Sequence, residues 1–151
     1  EIYMKIFIDA DGCPVVDLTL EIADKYQLKA VILCDTSHEF QRKGAETVVV
    51  SKGADSVDFA LVNRIQRGDI AVTQDYGLAA MCMAKGAIPI SQNGMVYTDE
   101  NIDALLLARH TAKKIRNAGG RLRGSRKRTQ QQNTDFVKEL EKLICEMQTD
   151  K

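Results

Sequence analysis

Acidic residues fall at four places where chemistry could be done. The stretch IFIDADGCPV stops an apolar run at Asp9, and a second acid follows at Asp11. DSVDFAL places Asp55 and Asp58 three residues apart, on one face of a helix start. IAVTQ runs into Asp75, and VILC runs into Asp35. Capping accounts for single aspartates of this kind, each worth about 1 kcal/mol at a helix start. It explains Asp55 or Asp58 better than Asp9, which directly follows a strand with Asp11 beside it. Two carboxylates about 4 Å apart repel by about 4 kcal/mol at an effective dielectric near 20. A crevice holding several therefore calls for a proton, a cation or a basic partner. The histidines, His38 and His110, fall far from these acids in the pattern and argue against an imidazole-bound zinc. Ligands made only of oxygen favour Mg²⁺ or Mn²⁺, which keep waters and act on phosphates.

The elements that must position these acids alternate. MKIFI reads as a strand, PVVDLTLEIADKY as a helix, and KAVILC and ETVVV as strands. SVDFALVNRIQRG is read as a helix ended by Gly68, DIAVTQ as a strand, and YGLAAMCMAKG as a short helix apolar nearly all round, hence buried. AIPI is a fifth strand, Asp99 to Asn117 a longer helix capped by Thr98 or Asp99, and residues 134–148 a last amphipathic helix. This alternation predicts a three-layer α/β/α domain over 1–151 with a mainly parallel central sheet. In such a sheet the carboxyl ends of the strands share one edge, where ligands bind. Asp9, Asp11, Asp58 and Asp75 are thereby expected on one rim.

Net charge is zero, yet the distribution is uneven. KKIRNAGGRLRGSRKR, residues 113–128, holds eight basic groups and no acid. Taking those eight from the 21 basic groups leaves 13 against 21 acids, a net of −8 for the rest. The stretch is read as a flexible basic loop binding phosphates through Arg121, Arg123, Arg126, Lys127 and Arg128, salt-dependently and with little base selectivity. It contains no aromatic residue; Tyr76 and Tyr97 are the distant candidates for stacking. Asp135, just beyond it, is expected to open the last helix and to pair with Arg126 or Arg109. Cys13 lies between strand and helix, where a thiolate would be favoured, but no Arg follows to cradle a phosphate. It reads as a small residue in a tight turn. The four cysteines show no CxxC spacing and are read as reduced thiols of a cytoplasmic protein without a signal peptide. No apolar run reaches the roughly 20 residues needed to span a membrane. Whether residues 1–3 are native, and the oligomeric state, are left open.

FIDADGCPV matches in part the D-x-D-G-T signature of haloacid-dehalogenase-like phosphatases, with Asp9 as nucleophile and Asp11 as acid. Cys13 replaces the Thr, Gly68-Asp69 precedes its strand instead of following it, and Lys85 is loosely placed. GDIAVTQDYGLAAMCMAKGA looks more like the late strand, T-x-D and small-residue helix of the PIN-like nuclease superfamily. DADGCPV, DSVDFAL, GDIAVTQDYGLA, LLLARH, and GSRKRT with TDF, taken in order, resemble the YaiI/YqxD family of bacterial proteins over nearly the whole chain. The resemblance implies a PIN-like fold and a metal-dependent, RNA-directed phosphodiesterase. It would make Asp9, Asp58 and Asp75 ligands of Mg²⁺ or Mn²⁺ and Asp11 a supporting carboxylate. Asp58 stands where that superfamily often has a Glu. A phosphatase, or a non-catalytic RNA-binding protein of the same fold, are the alternatives.

Overall fold

The period-2 pattern of the first strand decides which side chains meet which layer. In β1 (Lys5–Asp9), Ile6 and Ile8 point to one face of the sheet and Phe7 to the other. The same alternation runs through β2 (Lys29–Asp35), where Ala30, Ile32 and Cys34 oppose Val31 and Leu33. It recurs in β4 (Ile70–Val72), where Ile70 and Val72 oppose Ala71. Strands buried on both faces need helices on both, which is the parallel α/β solution. With β3 (Glu46–Val50) and β5 (Ile88–Ile90), the sheet has order β3-β2-β1-β4-β5, all parallel. The computed structural model describes residues 4–35, 42, 44–51, 53, 56–119 and 127–149.

On one face lie α1 (Val16–Lys25) and α5 (Gln130–Thr149), whose Val16, Ile22, Phe136, Leu140 and Ile144 pack on the Ile6 side. On the other, α2 (Ser56–Arg64) and α3 (Tyr76–Ala84) bring Leu61, Leu78 and Cys82 onto Phe7 and Leu33. Outside α3 runs α4 (Asp99–Asn117), docked through Ile102 against Ala79 and Tyr97. Three layers of α, β and α result, as the alternation predicts. No described helix is long and apolar enough to cross a membrane.

Several boundaries differ from expectation. Helix α2 ends at Arg64, and residues 65–69 form a loop instead of a last turn, so Gly68 caps no helix. Helix α5 starts at Gln130, four residues before the expected Thr134, because Thr129 accepts a hydrogen bond from the Gln132 amide and supplies the start. Asp135 is therefore inside α5, where it accepts from Gln131 and not from Arg109. The basic stretch is not one loop: Lys113 to Asn117 belong to α4. Asp55, His38, Arg121, Arg123 and Arg126 lie outside the described residues.

Candidate active site

The strand order reverses between β1 and β4: β2 and β3 extend one way from β1, β4 and β5 the other. A crevice opens at such a switch point, outside the carboxyl ends of the two strands. Asp9 is the last residue of β1, and Thr73 directly follows β4. The Thr73 hydroxyl donates to Asp9 Oδ2 at 2.8 Å and accepts from the Asp75 backbone N–H at 3.0 Å. One buried hydroxyl thus ties both strand ends together. Asp75 caps α3, accepting the Leu78 amide on Oδ1 at 3.1 Å. The capping account of Asp75 holds, and the same carboxylate stands beside Asp9.

Asp11 reaches the site through a tight turn. Gly12 adopts φ +72°, a left-handed conformation that a side chain would strain, and the Cys13 amide closes the turn on the Ala10 carbonyl. Asp11 Oδ2 accepts the Asp35 amide at 3.1 Å, bracing the end of β2. Burial raises the Asp9 pKa above its ordinary 3.8; the Thr73 hydrogen bond lowers it, and the charges of Asp75 and Asp11 raise it again. Asp9 therefore feels both neighbouring carboxylates. Burial also pushes the Cys13 thiol up, so it is no thiolate nucleophile.

Asp9, Asp11, Gly12, Cys13, Thr73, Gln74 and Gln92 line a cavity of about 50 Å³. A water needs roughly 10–15 Å³ of such volume, so the space suits an ion with a few waters and not a nucleotide. A larger groove of about 450 Å³ opens alongside, lined by Asp58, Phe59, Asp75, Gly77, Met81 and Arg109. Asp58 faces this groove. The structure does not gather Asp9, Asp58 and Asp75 into a three-carboxylate cage. Among the described residues, no three His, Cys, Asp or Glu side chains are placed to hold a metal ion. A cation bound here would therefore have fewer protein ligands than the three aspartates expected. Mg²⁺ commonly takes one or two carboxylates and completes its shell with water and phosphate. Asp9, which lines the cavity and is repelled by nearby Asp75, fits that restricted form.

The site's walls are held by residues that the sequence did not mark, Gln74 and Gln92, and by two to which it gave other roles, Tyr97 and Arg128. Gln92 donates its amide to Gln74 Oε1 at 2.8 Å, and Tyr97 donates its hydroxyl to the Thr73 carbonyl at 3.0 Å. Tyr97 is buried, so it braces the end of β4 and is no stacking platform. Arg128, expected to bind phosphate, donates at 2.7 Å to Asn133, to Asn93 and to the Gln92 carbonyl. It clamps the turn that forms one cavity wall, while Lys127 is exposed. Nothing in residue type distinguishes the clamp from its basic neighbours. Phe59 did carry a signal: it is out of phase with Leu61 and Ile65, the buried face of that segment, so it points to solvent.

The phosphatase alternative finds no support in this geometry. Asp69 lies at the opposite edge of the sheet, accepting the amides of Lys5 and Gln66. Lys85 donates to the Val62 carbonyl, at the far end of α3 from Asp75.

Comparison with known proteins agrees with the motif order. The family model described as "Uncharacterized BCR, YaiI/YqxD family" matches residues 7–146. A UPF0178 protein of Exiguobacterium sibiricum is 52% identical over 143 residues, covering 95% of this chain and 98% of that one. Another, from Ruminiclostridium cellulolyticum, is 49% identical, covering 91% and 90%. Among solved structures, Rae1 (YacP) from Bacillus subtilis aligns with a TM-score of 0.42 and 12% identity, covering 98% of this chain and 99% of that one.

Proposed function

The chain belongs to the YaiI/YqxD family, and from that premise we propose that it is a Mg²⁺- or Mn²⁺-dependent nuclease hydrolysing phosphodiester bonds in RNA. The observation that carries this reading is the linking of the Asp9 carboxylate to the Asp75 backbone through Thr73 at the sheet's switch point, beside a cavity with room for an ion and a few waters. When bound, the cation supplies a water of lowered pKa and neutralises charge on the phosphate. Asp9 and Asp75 would hold it, and Asp11 would add negative potential from the other side of the cavity. Thr73 orients the Asp9 carboxylate and favours its ionised form, opposing the effect of burial. Asp58, on the groove side, meets the substrate instead of completing a cage. Arg121, Arg123, Arg126 and Lys127 hold the RNA backbone by charge, while Arg128 clamps the turn at Gln92 and Asn93.

The test is cleavage of a labelled RNA pool with Mn²⁺, with EDTA, and with Asp9→Asn and Asp75→Asn. Products that need Mn²⁺ and both aspartates are expected. RNA retained without any products, in all variants, would make this a binding protein.

A further inference from the structure

The groove beside Asp75 has features that the proposed chemistry does not use. Asp58 and Phe59 come from α2, Asp75 precedes α3, Met81 lies within α3, and Arg109 comes from α4. Phe59 is 60% exposed, the largest exposure of any aromatic ring among the described residues' large hydrophobics. A lone exposed apolar side chain is ordinary. This one is the wall of a groove of about 450 Å³, within the roughly 300–1,000 Å³ typical of small-molecule sites. A guanidinium shares the groove with it, and Asp75 is common to the groove and to the acid cluster.

We infer that this groove is a nucleotide subsite for single-stranded RNA, in which Phe59 stacks on a base and Arg109 pairs with the adjoining phosphate. The inference rests on the nuclease reading for its substrate class and adds to it how the strand is presented. Every base has a π-face, so an aromatic platform holds a strand without choosing its sequence. Arg suits a phosphate because its planar donors match two oxygens at once. In an A-form duplex the base faces are stacked and closed to a side chain, so this platform accepts only unpaired nucleotides. A nucleotide lying here has its backbone beside Asp75, at the edge of the acid cavity. Met81 adds an adaptable apolar surface next to the ring.

The experiment is fluorescence anisotropy of the full chain with a labelled single-stranded 12-mer and with a hairpin duplex, both in EDTA so that nothing is cut. Wild type is expected to prefer the single strand. Phe59→Ala should weaken single-strand binding by about tenfold or more, the scale of one lost stack, while leaving duplex binding unchanged. Phe59→Trp should restore it, and Arg109→Ala should weaken it with a shallower salt dependence. Equal affinity of Phe59→Ala and wild type for the single strand, equal weakening toward both RNAs, or no single-strand binding by wild type overturns the subsite. Cleavage is scored separately with Mn²⁺. Phe59-dependent binding without products leaves the subsite and removes the nuclease; products unaffected by Phe59→Ala do the reverse.

Discussion

Asp9 and Asp75, 66 positions apart in the chain, are bridged by one hydroxyl: Thr73 donates a hydrogen bond to the Asp9 carboxylate and accepts one from the Asp75 backbone N–H. The bridge sets the ends of β1 and β4 against each other at the switch point. It holds Asp9 where burial makes ionisation costly.

That cost has a sign. The Asp9 pKa is raised by burial first, so above 3.8 the folded chain holds a proton that the unfolded chain has lost. Stability then falls as pH rises through that window, and above it ionised Asp9 is a standing penalty. Asp9→Asn removes the penalty and keeps an acceptor for Thr73. The metal-free variant should melt above wild type at pH 7, the gap closing as pH falls toward 3.8. With Mn²⁺ at about 100 times its dissociation constant, wild type should gain about 2.7 kcal/mol, or about 5–11 °C in Tm for a chain of this size. Asp9→Asn should gain little. Equal Mn²⁺ shifts in both proteins would remove Asp9 from the cation site.

Thr73 is 2% exposed, so Val replaces it without disturbing the packing outline. Loss of a hydrogen bond to a charged group costs about 1.5–3 kcal/mol, which corresponds to a roughly 10- to 150-fold lower kcat if the bond persists in the transition state. Thr73→Ser should keep most of the rate. Because the hydroxyl holds the Asp9 pKa down, Thr73→Val should also move the acid limb of the pH–rate profile upward. An unchanged profile would contradict the role given to this hydroxyl.

The wall of the cavity depends on a close approach between a turn and α5. Gly94 has φ +89°, and a Cβ there would lie 2.7 Å from the Asp135 carbonyl oxygen. Gly94→Ala must therefore strain the backbone and push α5 away, at a cost of roughly 2 kcal/mol or more. Arg128→Met keeps the stem but loses the bonds to Asn93, Asn133 and the Gln92 carbonyl, at a cost of about 1.5–3 kcal/mol. Thermal melts check both, and a melt unchanged in Arg128→Met would return Arg128 to the pool of phosphate binders.

The basic stretch answers to salt. Replacing Arg121, Arg123 and Arg126 with Ala should weaken RNA binding alike for all sequences. The slope of log K against log salt should fall by about 2, from about 0.7 per phosphate contact on a single strand. Sequence-selective loss would show that these side chains read bases.

The layer architecture was legible because periodicity is local. Ile6, Phe7 and Ile8 declare a strand buried on both faces, and Leu61 with Ile65 declare the buried side of their segment. Thr98 was readable as a cap because its partner Asn101 is only three residues on. Less visible were ends set by distant contacts. The Asp69 carboxylate takes the Gln66 amide and holds residues 65–69 out of α2, which composition did not foretell.

The chain alone settled that acids stand at the end of β1 and shortly after β4, that the sheet is parallel, and that positive charge is concentrated in 113–128. Those properties belong to residue type, spacing and short-range sterics. Which acids share a cavity was decided only in three dimensions: Asp9 and Asp11 line the small cavity, Asp58 and Asp75 line the groove, and Thr73 ties the Asp9 carboxylate to the Asp75 backbone. Arg128 and Asp135 likewise acquired their partners from packing. A side chain's neighbours across a fold depend on where every intervening element lies, and no local pattern carries that information.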